Sequence, residues 1–180
     1  MKRYAELAAR VRVPAGFLLL AVYAVFARPA PGPLLAGGLI ALSGLLLRGY
    51  AAGYLRKNRS LATSGPYAFT RNPLYLGSAL AAAGFAVAGG VWWLALLLAA
   101  FLVLVYLPVV SEEESHLANL FPEFRQYADT VPRFWPRLTR PGRASASSGR
   151  FEWPVYWQNQ EYKALLAYLV GIGLLIWKLP

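Results

Sequence analysis

The sequence predicts an all-α fold, a polytopic transmembrane helical bundle of about five spans. Of the 180 residues, 58% are hydrophobic and only 14% are charged, whereas soluble domains are about one quarter charged. No charged residue occurs over the 39 positions from Asn72 to Val110, which is about 58 Å of helix and close to two crossings of a bilayer core about 30 Å thick. The basic residues cluster between the apolar runs. We therefore expect lipid around most of the chain.

The first part of the chain is predicted to form a helical hairpin. An apolar run extends from Val13 to Ala27, and the RPAPGP sequence that follows is typical of a turn, because proline removes backbone donors. No cleavable signal is evident, so we interpret this run as a retained first span. The two spans are predicted near 13–28 and 33–52, with the tip of the hairpin near PAPGP.

A second hairpin is predicted from the uncharged segment, with spans near 73–88 and 91–110. Pro73 suits the first turn of a helix, because its missing donor would be unpaired there in any case. The chain is expected to reverse at glycines that offer a turn: Gly84, Gly89 and Gly90.

The remaining residues divide the chain into a core, a linker and a last helix. Residues 1–139 are predicted to be the transmembrane core, in which 111–139 is a cytoplasmic motif region. Residues 140–162 are expected to form a flexible, interfacial linker, because RPGRASASSGR is small, polar and basic and FEWPVYW is rich in aromatics. Residues 163–180 are predicted to be a C-terminal transmembrane helix. Its apolar stretch has only 14 residues, so it spans the bilayer only if the flanking lysines snorkel.

The distribution of charge predicts the topology, because lysine and arginine concentrate in cytoplasmic loops. With the N-terminus inside, 16 of the 18 basic residues and all eight acidic residues lie on the inner side, and only Arg28 and Lys178 lie outside. The net charge of +10 then follows from topology rather than from binding of nucleic acid. We predict an integral protein of the inner (cytoplasmic) membrane whose polar chemistry is gathered at the cytoplasmic end.

Composition also excludes several kinds of chemistry. The chain has no cysteine, which rules out disulfides, thiolate nucleophiles and cysteine-ligated metals. The single histidine, His116, cannot form a multi-histidine metal site, and no HExxH, P-loop or GxGxxG pattern is present. No metal site is predicted, and His116 is expected to pack or to form a hydrogen bond rather than to act as a base.

Two polar clusters flank the uncharged hairpin, one from Ser64 to Gly77 and one from Ser111 to Pro136. A helical hairpin brings its two ends together, so we expect these clusters to meet at the inner surface. In the first cluster Arg71 and Tyr75 are about one helical turn apart, and Arg71 can hold a carboxylate with two parallel hydrogen bonds. The alternative is that Arg71 is a positive-inside anchor and that Tyr75 and Tyr67 are interfacial belt residues.

In the second cluster three adjacent acids, Glu112, Glu113 and Glu114, follow a long apolar span. Uncompensated acids are costly there, so this pattern predicts a cationic partner. The alternative is a solvated acidic helix start that the helix dipole stabilises. An apolar helical face is expected behind the acids, formed by Leu117, Leu120 and Phe121.

The pair of segments GPYAFTRNPLYLG and EESHLANLFPEFRQYADTVPRFWP resembles the superfamily of isoprenylcysteine carboxyl methyltransferases and phospholipid methyltransferases. The signature of that superfamily is a GPY turn, an R(H/N)PxYxG segment, a helical hairpin, an EExxL segment and a VPRF tail. The resemblance covers roughly Leu61 to Pro136, and two motifs in the correct order are far more specific than either one alone.

The resemblance implies that S-adenosyl-L-methionine binds at the cytoplasmic side and that a lipophilic acceptor arrives from the bilayer. Acids, a guanidinium and aromatic faces complement the ammonium, carboxylate and sulfonium of that cofactor. Asn72 stands where many members have histidine, which puts an acid/base role at this position in doubt. The residues expected to act in catalysis are Arg71, Glu113 and Glu114. Those expected to bind the cofactor are Tyr67, Arg71, Asn72, Pro73, Tyr75, Leu76, Gly77, Glu113, Glu114, His116 and Leu117.

The leading hypothesis is therefore methyl transfer to a lipophilic acceptor, most like isoprenylcysteine carboxyl O-methylation. One alternative is a phospholipid (ethanolamine) N-methyltransferase. Another, of a different reaction class, is an NADPH-dependent sterol-type reductase, because such enzymes resemble the superfamily near RNPxY. A scaffold or small channel would explain the hydrophobicity but not the paired motifs. The expected partners are a lipid or prenylated substrate and membrane lipids, with no obligate protein partner.

Overall fold

A computed structural model describes residues 2–137 and 149–180, and all regular secondary structure in this part of the chain is helical. This confirms the predicted all-α class. A 3-10 turn, Gly65–Ala68, lies between the second and third helices. The helices are α1 Lys2–Phe26, α2 Pro31–Ala52, α3 Pro73–Ala88, α4 Trp92–Leu120, α5 Phe124–Thr130, α6 Trp153–Gln158 and α7 Tyr162–Trp177.

The chain reverses between α1 and α2 and between α3 and α4, and the two turns contact each other at one end of the bundle; α1 packs against α4 rather than against α2. The α3–α4 reversal falls at Gly89 and Gly90, where Gly90 has a φ of +66° that favours glycine. The Arg28 backbone N–H, in the α1–α2 turn, donates to the Gly89 carbonyl at 2.8 Å. Gly84, which was also expected at the reversal, instead lies inside α3.

Helices α2 and α3 pack backbone against backbone through small residues. A Cβ atom on Gly37 or Gly44 of α2, or on Gly77 or Gly84 of α3, would lie closer than 3.0 Å to backbone atoms of the facing helix. Small residues at such spacing allow close approach of helices where lipid provides no hydrophobic drive between them. This pair is therefore the structural centre of the bundle.

Helix α4 runs unbroken for 29 residues, about 43 Å, through Pro108 and a π-type turn at Leu102–Tyr106. Proline at 108 leaves the Leu104 carbonyl without its usual donor, and the Tyr4 hydroxyl donates to that carbonyl at 2.8 Å. The acids at 112–114 therefore lie well inside a helix. The alternative of an acidic helix start was wrong, because the apolar span continues into the acidic segment as one helix.

The C-terminal helix α7 closes the bundle at the end where the hairpin turns meet. Lys178 Nζ donates to the carbonyls of Ala24 and Val25, at 2.8 and 2.9 Å, near the end of α1. Along α7, the Tyr168 hydroxyl donates to the Gly38 carbonyl of α2 at 3.1 Å. Of the predicted linker, residues 140–148 lie outside the described residues, whereas the FEWPVYW segment forms most of α6.

Many large apolar side chains point outward along the helices, as expected where lipid is the solvent. By length and composition α2 and α4 can each cross a membrane, and shorter apolar helices cover 13–26, 73–88 and 162–177. The number of spans, five, and the N-inside orientation stay predictions. Examples of such outward side chains are Phe17, Leu39, Leu96 and Val170.

Candidate active site

A cavity of about 590 Å³ opens at the end of the bundle opposite the hairpin turns, which we call the polar end. It lies between residues 55–62, the start of α3 and the acidic part of α4. This volume is within the range of small-molecule sites. The two polar clusters of the sequence therefore meet, as the hairpin geometry predicted. The polar residues that line it include Tyr67, Arg71, Asn72, Tyr75, Glu112, Glu113, Glu114, His116 and Tyr127.

Glu114 is the centre of the polar network at this cavity. Its Oε1 atom accepts a hydrogen bond from Asn72 Nδ2 at 2.8 Å and lies 3.7 Å from Arg71 Nε. Its Oε2 atom lies 3.3 Å from Arg133 Nε. Two guanidinium groups thus share one carboxylate that is only 15% exposed, which leaves a positive charge in excess. Both Nε atoms are buried and face Glu114 without a hydrogen bond of good geometry among the described residues, so their contact with the carboxylate is electrostatic.

Glu113 provides the opposite charge on the same cavity. Its Oε2 atom accepts a hydrogen bond from the Tyr75 hydroxyl at 2.8 Å, and its side chain is exposed. Within the described residues no basic group lies within 4.0 Å of Glu113 or Glu112. The cavity therefore combines arginine-rich and acid-rich sides.

The start of α3 is held in place by the segment that follows α5. The Arg71 backbone N–H donates to the Pro132 carbonyl at 2.9 Å, and the Thr70 hydroxyl donates to the Arg133 carbonyl at 3.1 Å. Asn72 Nδ2 also donates to the Arg133 carbonyl, at 3.2 Å. Residues 131–135, which follow α5, are called the α5 tail below. Asn72 is buried, and its amide hydrogen bonds join Glu114 to this tail. A neutral amide is sufficient for such a positioning role.

Two buried tyrosines form the floor of the cavity. Gly65, with a φ of +59°, lets the chain turn so that Tyr67 points inward. The Tyr127 hydroxyl donates to the Tyr67 carbonyl at 2.8 Å. Burial raises the pKa of both phenols above the usual value, and for Tyr67 the carboxylates Glu113 and Glu161 add to the effect. Both groups therefore stay protonated and remain hydrogen-bond donors at neutral pH.

Nine of the eleven predicted site residues line this cavity and two do not. Leu76 faces a separate groove, and Gly77 packs against α2, where a Cβ would lie 2.6 Å from the Gly44 carbonyl oxygen. His116 is exposed at the mouth, with Nε2 3.4 Å from Asn58 Oδ1. The binding roles predicted for these eleven residues stay predictions.

A second, apolar groove of about 250 Å³ runs between α3 and α4. Tyr75 belongs to both the polar cavity and this groove, and its ring contacts that of Tyr106 with centroids 5.6 Å apart. Trp135 lies at the groove and is 87% exposed, which is unusual for tryptophan in water and typical of an interfacial position. The other lining residues are Leu76, Ala79, Leu102, Leu107, Val110 and Phe134.

The sequence analysis missed two parts of the site. Residues 55–62 form one wall of the cavity, but their basic charges had been interpreted only as a topology signal. Arg133 was part of the VPRF tail, yet no role was assigned to it; its position after a proline in a quoted motif was the available signal. Both are brought to the cavity by contacts between residues far apart in the chain.

Residues 35–123 match the family model described as phospholipid methyltransferase. This confirms the resemblance to the superfamily of isoprenylcysteine carboxyl and phospholipid methyltransferases that the motifs indicated. Together with α2 and α4, this match indicates association with a membrane.

Among curated relatives, the chain is 40% identical to the cobalt-zinc-cadmium resistance protein CzcN of Cupriavidus metallidurans. It is 38% identical to the nickel-cobalt-cadmium resistance protein NccN of Alcaligenes xylosoxydans xylosoxydans. Each alignment extends over 84 residues, 47% of this chain and 39% of the relative. The chain thus spans about two fifths of the length of the curated relatives it matches. No solved structure matches it.

Proposed function

We propose that this protein transfers a methyl group from S-adenosyl-L-methionine to a lipophilic acceptor at the membrane. The observation that carries the proposal is that Tyr75 joins a charged cavity to an apolar groove. A polar donor and an apolar acceptor need two such compartments that meet at one point. The names of the relatives refer to metal resistance; we favour methyl transfer because residues 35–123 match the family model.

The residues of the cavity fit the cofactor group by group. Arg71, which lines the cavity and shares Glu114 with a second guanidinium group, would hold the cofactor carboxylate. Glu113 and Glu112 would face its ammonium, and the Tyr75 ring would lie against its cationic end. The cavity of about 590 Å³ is large enough for a ligand of this kind.

When bound, S-adenosyl-L-methionine supplies an electrophilic methyl group, so the protein needs no covalent nucleophile. The chain contributes alignment and exclusion of water. Tyr75 fixes Glu113 by its hydrogen bond, and Asn72 fixes Glu114. A cysteine-free site is sufficient for this chemistry.

For the acceptor, we propose a carboxylate carried on a prenyl-like chain. The chain would lie in the groove between α3 and α4, and Arg133 lies beside Phe134, one of the residues that line this groove. The Arg133 guanidinium carbon lies 5.7 Å from the centre of the Phe134 ring, and Nη2 donates to Ser111 Oγ at 2.7 Å. A carboxylate at the end of the groove would therefore meet a cation.

N-methylation of an ethanolamine headgroup is the second candidate. The description of the family model favours it, and the acids Glu112 and Glu113 would suit an amine acceptor. The family match favours either form of methyl transfer over a nicotinamide-dependent reduction.

Binding of the cofactor is tested by isothermal titration of the detergent-purified chain with S-adenosyl-L-methionine. We expect saturable binding that weakens about tenfold or more in Arg71→Ala and in Glu113→Ala, since each removes a charge-assisted contact. Arg125→Ala and Glu123→Ala, at exposed positions, are charge-matched controls and should bind as the wild type does. Absence of binding, or protection against heat by NADPH instead, would refute the proposal.

The acceptor is tested with labelled methyl donor and two substrates, a prenylated cysteine and phosphatidylethanolamine vesicles. Label in the prenylated compound supports O-methylation, and label in the lipid headgroup supports the second candidate. Leu76→Trp should fill the groove and raise KM for the acceptor about tenfold without changing cofactor affinity. Leu39→Trp, on the exposed side of α2, is the control. Equal KM values in both variants would argue against the groove.

A further inference from the structure

One wall of the cavity has almost no regular structure. Residues 53–62, which we call the wall segment, follow α2 as turns, and Asn58 has a left-handed φ of +57°. Seven of its ten residues, from Leu55 onward, line the cavity. Such a segment keeps its shape only if other parts of the chain hold its backbone, because each ordered residue costs conformational entropy.

The C-terminal part of the chain, beyond the residues that match the family model, provides one such attachment through Asn159. Its side-chain amide donates to the Ala52 carbonyl at 2.9 Å and to the Leu55 carbonyl at 2.8 Å. The last carbonyls of a helix lack partners within the helix. Asn159 therefore uses both amide hydrogens to join the end of α2 to the first residue of the cavity wall.

Glu161 makes a second attachment, to α2 and α3 rather than to the wall segment. Its carboxylate accepts two hydrogen bonds from Arg48, from Nη2 at 2.8 Å and from Nε at 3.0 Å. Arg48 Nη1 in turn donates to the Leu74 carbonyl at 3.2 Å and to the Ser78 hydroxyl. Glu161 is only 10% exposed, so this pair is little screened by solvent, and it reaches the first turns of α3.

Glu152 adds a third attachment at the surface. Its backbone N–H donates to the Gly53 carbonyl at 3.0 Å, and its carboxylate accepts from Arg56 at 2.6 and 2.7 Å. This ion pair is half exposed, so it stabilises the protein little. The two less exposed attachments reach different parts of the cavity: Asn159 holds the wall segment, and Glu161 holds Arg48 against the first turns of α3.

We propose that Asn159 and Glu161 are positioning residues for the cofactor cavity. Neither lines the cavity; Asn159 acts through the wall segment, and Glu161 acts through Arg48 of α2, which donates to the Leu74 carbonyl at the start of α3. The inference rests on the proposed function for the identity of the ligand. The hydrogen bonds that Asn159 and Glu161 make do not depend on that identity. The C-terminal segment thus belongs to the active machinery of this chain rather than serving as an anchor alone.

The test compares Asn159→Ala with Gln158→Ala, the same truncation at an exposed neighbour. Hydrogen exchange of the ligand-free full chain should become faster in residues 53–62 of Asn159→Ala and stay unchanged in α2 and α3. S-adenosyl-L-methionine should bind about tenfold more weakly to Asn159→Ala, while kcat at saturation changes less than about twofold. Gln158→Ala should match the wild type in both measurements.

Glu161→Gln keeps the shape of the side chain, so it provides a second test in case Asn159→Ala does not fold. It should weaken cofactor binding about threefold to tenfold with little change in exchange of the wall segment. Unchanged exchange in Asn159→Ala, uniform acceleration over the whole bundle, or faster exchange with unchanged affinity would each overturn the proposal. If the wild type fails to bind the cofactor, the proposed function falls, and the exchange data alone decide whether Asn159 holds the wall.

Discussion

The two faces of α3 use opposite kinds of residue. On the face toward α2, Gly77 and Gly84 leave no space for a side chain, so backbone packs on backbone. On the other face Tyr75 and Leu76 carry large side chains into the cavity and the groove. The same helix therefore serves as a fixed reference on one face and as a binding surface on the other.

This difference shows which contacts hold the ligand-binding side chains in position. A residue that binds a ligand must be held to within about half an ångström, and a flexible helix could not do that. The close α2–α3 contact fixes the axis of α3, and hydrogen bonds from Asn72 and Arg71 to the α5 tail fix its first turn. Predictions for the packed face should therefore concern folding, and those for the other face should concern binding.

The largest effect is expected on the packed face. Gly84→Ala places a Cβ closer than 3.0 Å to backbone atoms of Ala41 and Gly37, so the helices must separate. We expect a loss of about 3 kcal/mol or more in the free energy of unfolding, measured by denaturant titration in detergent. Gly173→Ala, where a Cβ meets nothing within 4 Å, is the matched control and should be neutral or stabilising. Equal stability of the two variants would remove the distinction between the faces.

An intermediate effect is expected at the polar network. Glu114→Gln leaves Arg71 and Arg133 without the carboxylate that they share, and we expect a loss of about 2 kcal/mol in stability together with loss of methyl transfer. Glu112→Gln, at an exposed position, should change stability by less than about 0.5 kcal/mol. Thermal unfolding and the labelled-methyl assay measure the two quantities. A Glu114→Gln protein as stable and active as the wild type would contradict this assignment.

The smallest effect is expected from one hydroxyl on the binding face. Tyr75→Phe removes the hydrogen bond to Glu113 and keeps the ring, so cofactor affinity should fall about fivefold, or about 1 kcal/mol. The free energy of unfolding should stay the same within error. Tyr106→Phe, whose ring lies against Tyr75, is the control and should bind the cofactor normally. A fall in stability without a fall in affinity would show that the two faces of α3 are not separable.

The helices and the meeting of the two polar clusters could be predicted because they follow from local rules. Pro73 begins α3, and the reversal at Gly89 and Gly90 follows from the conformational freedom of glycine. A hairpin must return to the side where it began, so Arg71 and Glu113 had to approach each other, and both line one cavity.

Other features depend on contacts that local rules do not encode. Gly84 has the same sequence signal as Gly89, and only the facing helix decides that it packs rather than turns. Arg133 reaches Glu114, and Glu161 reaches Arg48, across long separations in the chain.

The π-type turn at Leu102–Tyr106 sets the direction in which the acids of α4 point. Each residue of an α-helix advances the next by about 100°, and a turn with one residue more rotates everything that follows. The directions of the Glu113 and Glu114 side chains thus depend on an apolar stretch about ten residues upstream, and no residue of this stretch lines the cavity. Deletion of Val103, which lines neither the cavity nor the groove, would preserve every ligand-binding side chain and still turn the carboxylates away from the arginines.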